Sequence, residues 1–173
     1  MDRIAVGGLR ISPALAQINV GYAPGVRTLI GEYLQRLARR HINLPFLTFS
    51  SAGSGNAAAL CVSASEGDVA REIALKAPKL APLVTVLTPV AAVSIFPHRQ
   101  QLVLLGHLLA VLHGERIPLL AMGSSISSFT LTLAHRSLGR TMEVLEGALI
   151  LPENHAPLQS QLEVIQIPKE DPS

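Results

Sequence analysis

The sequence predicts an α+β protein made of two ferredoxin-like βαββαβ units, each an antiparallel four-stranded sheet with two helices on one face. Three observations carry this. First, the chain repeats itself: "RRHINLPFLTFSS" at 39–51 returns as "GERIPLLAMGSS" at 114–125, with Ile42 and Leu44 matching Ile117 and Leu119 at a shift of 75 positions. At the same shift Val20 matches Ile95, Leu29 matches Leu104 and Leu37 matches Leu112. Second, strand-like and helix-like hydrophobic periods follow one another in the same order in both copies. Third, 49% of the 173 residues are hydrophobic, enough for a real core, while each copy is too short to bury much alone. The two copies are therefore expected to pack together, with a boundary near residue 80: a first unit over 1–80 and a second over 81–173.

In the first copy, Ala14 to Val20 alternates weakly and reads as a strand. Pro24 and Gly25 mark a turn, and Val26, Leu29, Ile30, Tyr33, Leu34 and Leu37 follow at helical spacing. Ile42 to Phe49 and Ala57 to Ser63 read as two further strands joined by the loop "SAGSGN". Ser65, Glu66 and Asp68 supply cap-like residues for a helix through Val69, Ile73 and Leu75. Leu83 to Leu87 makes the fourth strand. The second copy runs Val90 to Phe96, a helix over Leu102 to Leu112, strands over Ile117 to Met122 and Phe129 to Ala134, and a helix through Met142, Leu145 and Leu149; "LEVIQI", 162–167, closes it. The uncharged run from Leu80 to Pro97 is interrupted by three prolines, so it predicts two short buried strands around a proline kink rather than a membrane span.

Composition limits the function classes. Aromatic residues make up 3%, with no Trp, which leaves no stacking platform for bases or sugars. Net charge is +2, and the densest basic cluster, Arg36, Arg39 and Arg40, falls at a helix C-terminus where cations suit the dipole; no nucleic-acid stripe follows from it. The single cysteine, Cys61, excludes an internal disulfide and reads as a buried small hydrophobe. His107 and His113 are six apart on one helix, a poor spacing for a shared metal, and with scattered histidines no metal site is expected. The serines at 50, 51, 54 and 124–128 have no local Ser-His-Asp arrangement and read as turn residues. His98 and Arg99 read as an exposed basic turn. "MDRIAVGG" has no signal-peptide pattern, so a cytoplasmic protein is expected.

The tandem βαββαβ order, with "INVGYAPGVRTLIGEYLQRLARRHINL" in the first copy and "SSISSFTLTL" in the second, resembles the paired ACT domains at the regulatory end of aspartate kinases. "RIAVGGLRI" occupies the place of the extra N-terminal strand that opens that region. No Gly-rich phosphate loop with its Lys is present, so the resemblance implies regulation without catalysis and without a cofactor. It implies an amino acid or similar small ligand at a domain or subunit interface, a homodimer, and possible contact with a metabolic enzyme. The ligand-binding residues it points to are Gly21, Tyr22, Ala23, Pro24, Gly25 and Val26 in the turn, Phe49 and Ser50 on the facing strand, and Ser124 and Ser125 in the second copy. Against the family pattern, Tyr22 stands where an acidic residue usually meets the effector's amino group, and Phe49, Ser50 and Ala58 replace polar strand positions. Ile95 and Pro97 replace the turn glycines of the second copy. The alternative function is a dimerisation module on the same fold that binds no ligand.

Overall fold

A computed structural model describes residues 3–50, 55–96 and 102–152. Most of "SAGSGN", the His98–Arg99 turn, "LEVIQI" and the C-terminal tail lie outside the described residues. The elements are β1 (Ile4–Ala5), β2 (Gly8–Ile11), β3 (Leu15–Gly21), α1 (Val26–Arg39), β4 (Phe46–Phe49), β5 (Asn56–Ser63), α2 (Gly67–Leu75), β6 (Val84–Phe96), α3 (Leu102–Gly114), β7 (Leu119–Ser124), β8 (Phe129–Ala134), α4 (Leu138–Ala148) and β9 (Leu149–Ile150). Short 3-10 turns precede α2 and α4 (Ala64–Glu66 and His135–Ser137).

Each copy closes its first helix in the same way. After α1, His41 takes a left-handed φ of 57°, its N–H donates to the Ala38 carbonyl at 2.9 Å, and Ile42 N–H donates to Leu37 at 3.1 Å. After α3, Arg116 has φ 55°, its N–H donates to His113 at 2.9 Å, and Ile117 N–H donates to Leu112 at 2.9 Å. Both are Schellman closures, in which the residue past the cap reverses the chain and brings a hydrophobe back over the last turn. The residues that match at a shift of 75 are the ones that make the two closures. This also explains why the expected strand from Ile42 starts only at Phe46: Ile42 is buried, but as the lid of the helix end.

The two expected four-stranded sheets are one continuous seven-stranded sheet, in the order β4-β5-β3-β6-β8-β7, with β2 also paired to β6. Every pairing in it is antiparallel; β1 and β9 form a separate parallel pair. The two strands expected around the proline kink are a single strand, β6. Its first part pairs with β3 (Val84 with Val20, through to Val90 with Leu15) and its second with β8 (Val90 with Ala134, through to Ile95 with Phe129). Thr88 and Pro89 fall at a register shift between Leu15 and Gln17, so the missing proline N–H falls at an irregularity of the ladder. The first part is not the buried strand expected: Thr85, Thr88 and Pro89 are exposed. The N-terminal strand expected over "RIAVGGLRI" is two strands: β1 pairs with β9, and β2 lies beside the second part of β6, with Gly8 opposite Phe96 and Ile11 opposite Val93.

Helices α1 and α2 cover the first half of the sheet through Ile18, Val20, Ile30, Tyr33, Leu37 and Leu60. Helices α3 and α4 cover the second half through Val93, Ile95, Leu104, Leu108, Leu131 and Leu145. The opposite face is also filled: Leu15, Phe46, Cys61, Val90 and Ala92 form a third cluster with Leu120 and Ala121. The sheet therefore curls until its two end strands meet. A methyl group built on Gly123 of β7 would lie 3.0 Å from the Phe46 ring of β4.

Candidate functional site

The turn at 21–26 leaves β3 at Gly21, opposite Asn56, and enters α1 through Gly25, the N-cap residue. Gly25 has φ 75°, a left-handed conformation that costs other residues strain, and a Cβ there would meet nothing within 4 Å. The turn therefore selects glycine by backbone conformation and not by crowding. Tyr22 N–H donates to the Gly55 carbonyl at 2.9 Å, which ties the turn to the chain entering β5. Val26 N–H donates to Ala23 at 3.0 Å and Thr28 N–H to Gly25 at 3.1 Å, so two of the first helical amides are used inside the turn. Among the described residues no side chain caps the helix, and no acidic residue lies in its first turn.

Phe49 and Ser50 reach the same end of the sheet. Phe49 pairs with Ala58 across the β4–β5 ladder, and Ser50 N–H donates to Ala57 at 2.9 Å. Phe49 is 55% exposed and Tyr22 44% exposed, and Leu47 on the same face of β4 is also exposed. These large side chains are exposed at the end of the sheet where the turn lies. The fold thus brings Gly21–Val26 and Phe49–Ser50 to one rim, with β5 between β3 and β4.

Ser124 and Ser125 belong to the β7–β8 hairpin. Ser125 N–H donates to the Ser128 carbonyl at 2.9 Å, the two hydroxyls lie 2.9 Å apart, and Ser128 N–H donates to Ser125 Oγ at 3.0 Å. That is the local turn bonding expected of serine-rich loops. Other polar groups are spent on packing. Tyr33 Oη donates to the Ala70 carbonyl at 2.9 Å and joins α1 to α2; burial raises its pKa well above the ordinary tyrosine range. Cys61 is fully buried on the inner face, its Sγ 4.0 Å from Gln17 Oε1, and burial pushes its thiol up to about 12. A thiol held protonated in this way is no nucleophile. Among the described residues no group of three His, Cys, Asp or Glu could hold a metal ion, and no helix is long and apolar enough to cross a membrane.

Solved structures share this arrangement. The ligand-free regulatory subunit of aspartate kinase from Thermus thermophilus superposes with a TM-score of 0.70 at 18% identity, covering 84% of this chain and 99% of that one. The chain has the fold of an aspartate kinase regulatory subunit. A structure of aspartokinase alpha and beta subunits gives a TM-score of 0.71 at 17% identity, over 83% of this chain and 98% of that one. Escherichia coli aspartokinase III with lysine and aspartate, in its T-state, gives 0.61 at 16% identity, over 86% of this chain and 34% of that one. The fold of the paired regulatory domains that the sequence resembles is thus the fold observed. No protein-family model matches the sequence, and no curated protein matches it.

Proposed function

We propose that the chain is a tandem ACT regulatory protein without catalysis of its own. It binds an amino acid or similar small ligand where the Gly21–Val26 turn of one chain meets a neighbouring surface. It works as a homodimer that contacts an enzyme of amino-acid metabolism. The observation that carries this reading is the turn itself: a left-handed glycine at the start of a long helix, rimmed by exposed Tyr22 and Phe49. A helix N-terminus favours a carboxylate, and exposed aromatic rims are suited to burial at an interface. The ligand that fits is apolar or aromatic, because Tyr22 offers no charge to an ammonium group.

The second reading, a dimerisation module without ligand, draws on the amides of Val26 and Thr28, which are already bonded within the turn. Thermal unfolding against each of the twenty amino acids, run beside sedimentation velocity, separates the two. The sensor reading expects one apolar amino acid to raise the melting temperature; at about 100 times its dissociation constant the gain is roughly 2.7 kcal/mol. Gly25→Val is expected to abolish that response and to cost about 1–2 kcal/mol of stability from backbone strain alone, whereas Gly25→Asn, which tolerates the left-handed region, retains the fold at smaller cost. No response to any amino acid from a stable dimer would replace the sensor with the module.

A further inference from the structure

We propose that the groove beside the middle of β6 is a second binding site, distinct from the strand–helix turn, for a small carboxylate with a short aliphatic body and no ammonium group. The groove encloses about 360 Å³ and is lined by both halves of the sheet. That volume lies at the lower end of the range of small-molecule sites. Its position follows from strand pairing. β3 accompanies one edge of β6 from Val84 to Val90, but β8 accompanies the other edge only from Val90 onward, ending opposite it at Ala134. On that side, residues 84–89 have no strand partner among the described residues, and the groove opens there.

The lining states what the groove can hold. Val86, Leu87, Val90 and Leu120 make apolar walls, and Arg136, from the 3-10 turn after β8, is the one charged residue among the lining side chains. Arg136 is exposed, and Glu115 and Glu143 are paired with Arg140. A guanidinium at the rim of apolar walls suits a carboxylate through two parallel N–H···O bonds. The open strand edge supplies amide and carbonyl groups for a polar atom next to that carboxylate. Among the described residues no carboxylate lines the groove, so the ammonium of a free amino acid would be buried there without an anionic partner. A 2-oxo acid or simple aliphatic acid avoids that cost. The C-terminus of a peptide presents the same carboxylate and aliphatic chemistry.

The internal repeat gives a control within the molecule. At the shift of 75, Pro13-Ala14 corresponds to Thr88-Pro89, and the turn Ala64–Glu66 after β5 corresponds to His135–Ser137 after β8. In the first copy this junction is closed: Ala64 N–H donates to Ala14 at 3.1 Å and Ala92 N–H donates to Ser12 Oγ at 2.9 Å. Ser65, at the place of Arg136, has its hydroxyl 2.9 Å from that of Ser63. The cation at this junction is therefore a property of the second copy's sequence, since Ser65 stands in the first copy where Arg136 stands in the second.

Calorimetric titration of the full chain with 4-methyl-2-oxopentanoate, with leucine and with the tripeptide Gly-Gly-Leu tests the site. The oxo acid is expected to bind at least about tenfold more tightly than leucine, and Arg136→Gln to weaken it by at least about tenfold, with unfolding unchanged because Arg136 is exposed. Leu120→Trp, which fills the groove, should also block binding. Gly25→Val should leave it intact, so this site and the turn succeed or fail separately. Tighter binding of the tripeptide than of the oxo acid, lost in Arg136→Gln, would assign the carboxylate to a chain terminus. Absence of heat with all three ligands, or an affinity that survives Arg136→Gln, would overturn the proposal.

Discussion

Gly67 determines how closely α2 lies on the sheet. A Cβ at this position would sit 2.7 Å from the Cβ of Ala16, closer than real contacts come. The helix therefore buries its small residues, Gly67, Ala70 and Ala74, while Val69 and Leu75 stay exposed. Of the larger hydrophobes the spacing picks out, only Ile73 packs against the core, because hydrophobic spacing registers residue type and cannot register how little room the neighbouring strand leaves. Gly67→Ala is expected to lose stability, about 1–3 kcal/mol for the overpacked contact, despite the better helix propensity of alanine. Gly31→Ala in α1, where a Cβ meets nothing within 4 Å, should instead gain up to about 1 kcal/mol. Urea unfolding of the two variants gives opposite signs if the packing is as described. Cys61 adds a pH dependence. Burial raises its pKa from 9.0 to about 12, so the unfolded chain loses this proton first as pH rises. The stability tied to the protonated thiol is complete below about pH 9 and is lost as pH rises through 12. Cys61→Ala should flatten the stability curve in that window relative to wild type; an unchanged slope would show that the thiol is not the group responsible.

At the scale of elements, helix existence and strand existence were legible, and ends and partners were not. Helix α1 appears where three-four spacing placed it and α3 where the repeat placed it, and the Leu37–Ile42 and Leu112–Ile117 matches turned out to be the two helix closures. The proline in β6 misled because a proline inside a strand normally ends it; here it coincides with the register shift at which the strand changes partners. The turn residues of the candidate site were also legible, since Pro-Gly between a strand and a helical pattern has few other meanings. The groove at Arg136 was not, because it arises from where β8 stops and no local motif marks that. Arg3 belongs to the same class of long-range feature. Its guanidinium donates to the carbonyls of Glu146, at 2.8 Å, and Leu149, and so caps the C-terminus of α4 from 143 or more residues away. Arg3→Gln is expected to cost about 1–2 kcal/mol in urea unfolding, from the lost charged hydrogen bonds and helix-end charge. A variant as stable as wild type would show that the N-terminal segment does not hold this helix end.

At the scale of the whole molecule, the two copies are joined by β6, which serves both, and by the meeting of β4 with β7, while the N-terminal strands β1 and β2 pair with β9 and the second part of β6. The second junction matters because β4 carries Phe49 of the candidate turn rim while β7 carries Leu120 of the groove. Strain introduced at one end strand has a direct path to the other through Phe46, which is buried against Gly123. A double-mutant cycle reads that path. Gly123→Ala places a methyl group 3.0 Å from the Phe46 ring and should destabilise on its own. Phe46→Leu removes the ring and should also destabilise, by leaving space in the inner cluster. Together they are expected to cost less than the sum of the two, with a coupling of about 0.5 kcal/mol or more, because the smaller leucine makes room for the new methyl. Strict additivity would mean that the ends of the sheet do not bear on each other. The turn and the groove would then have to communicate without the β4–β7 contact.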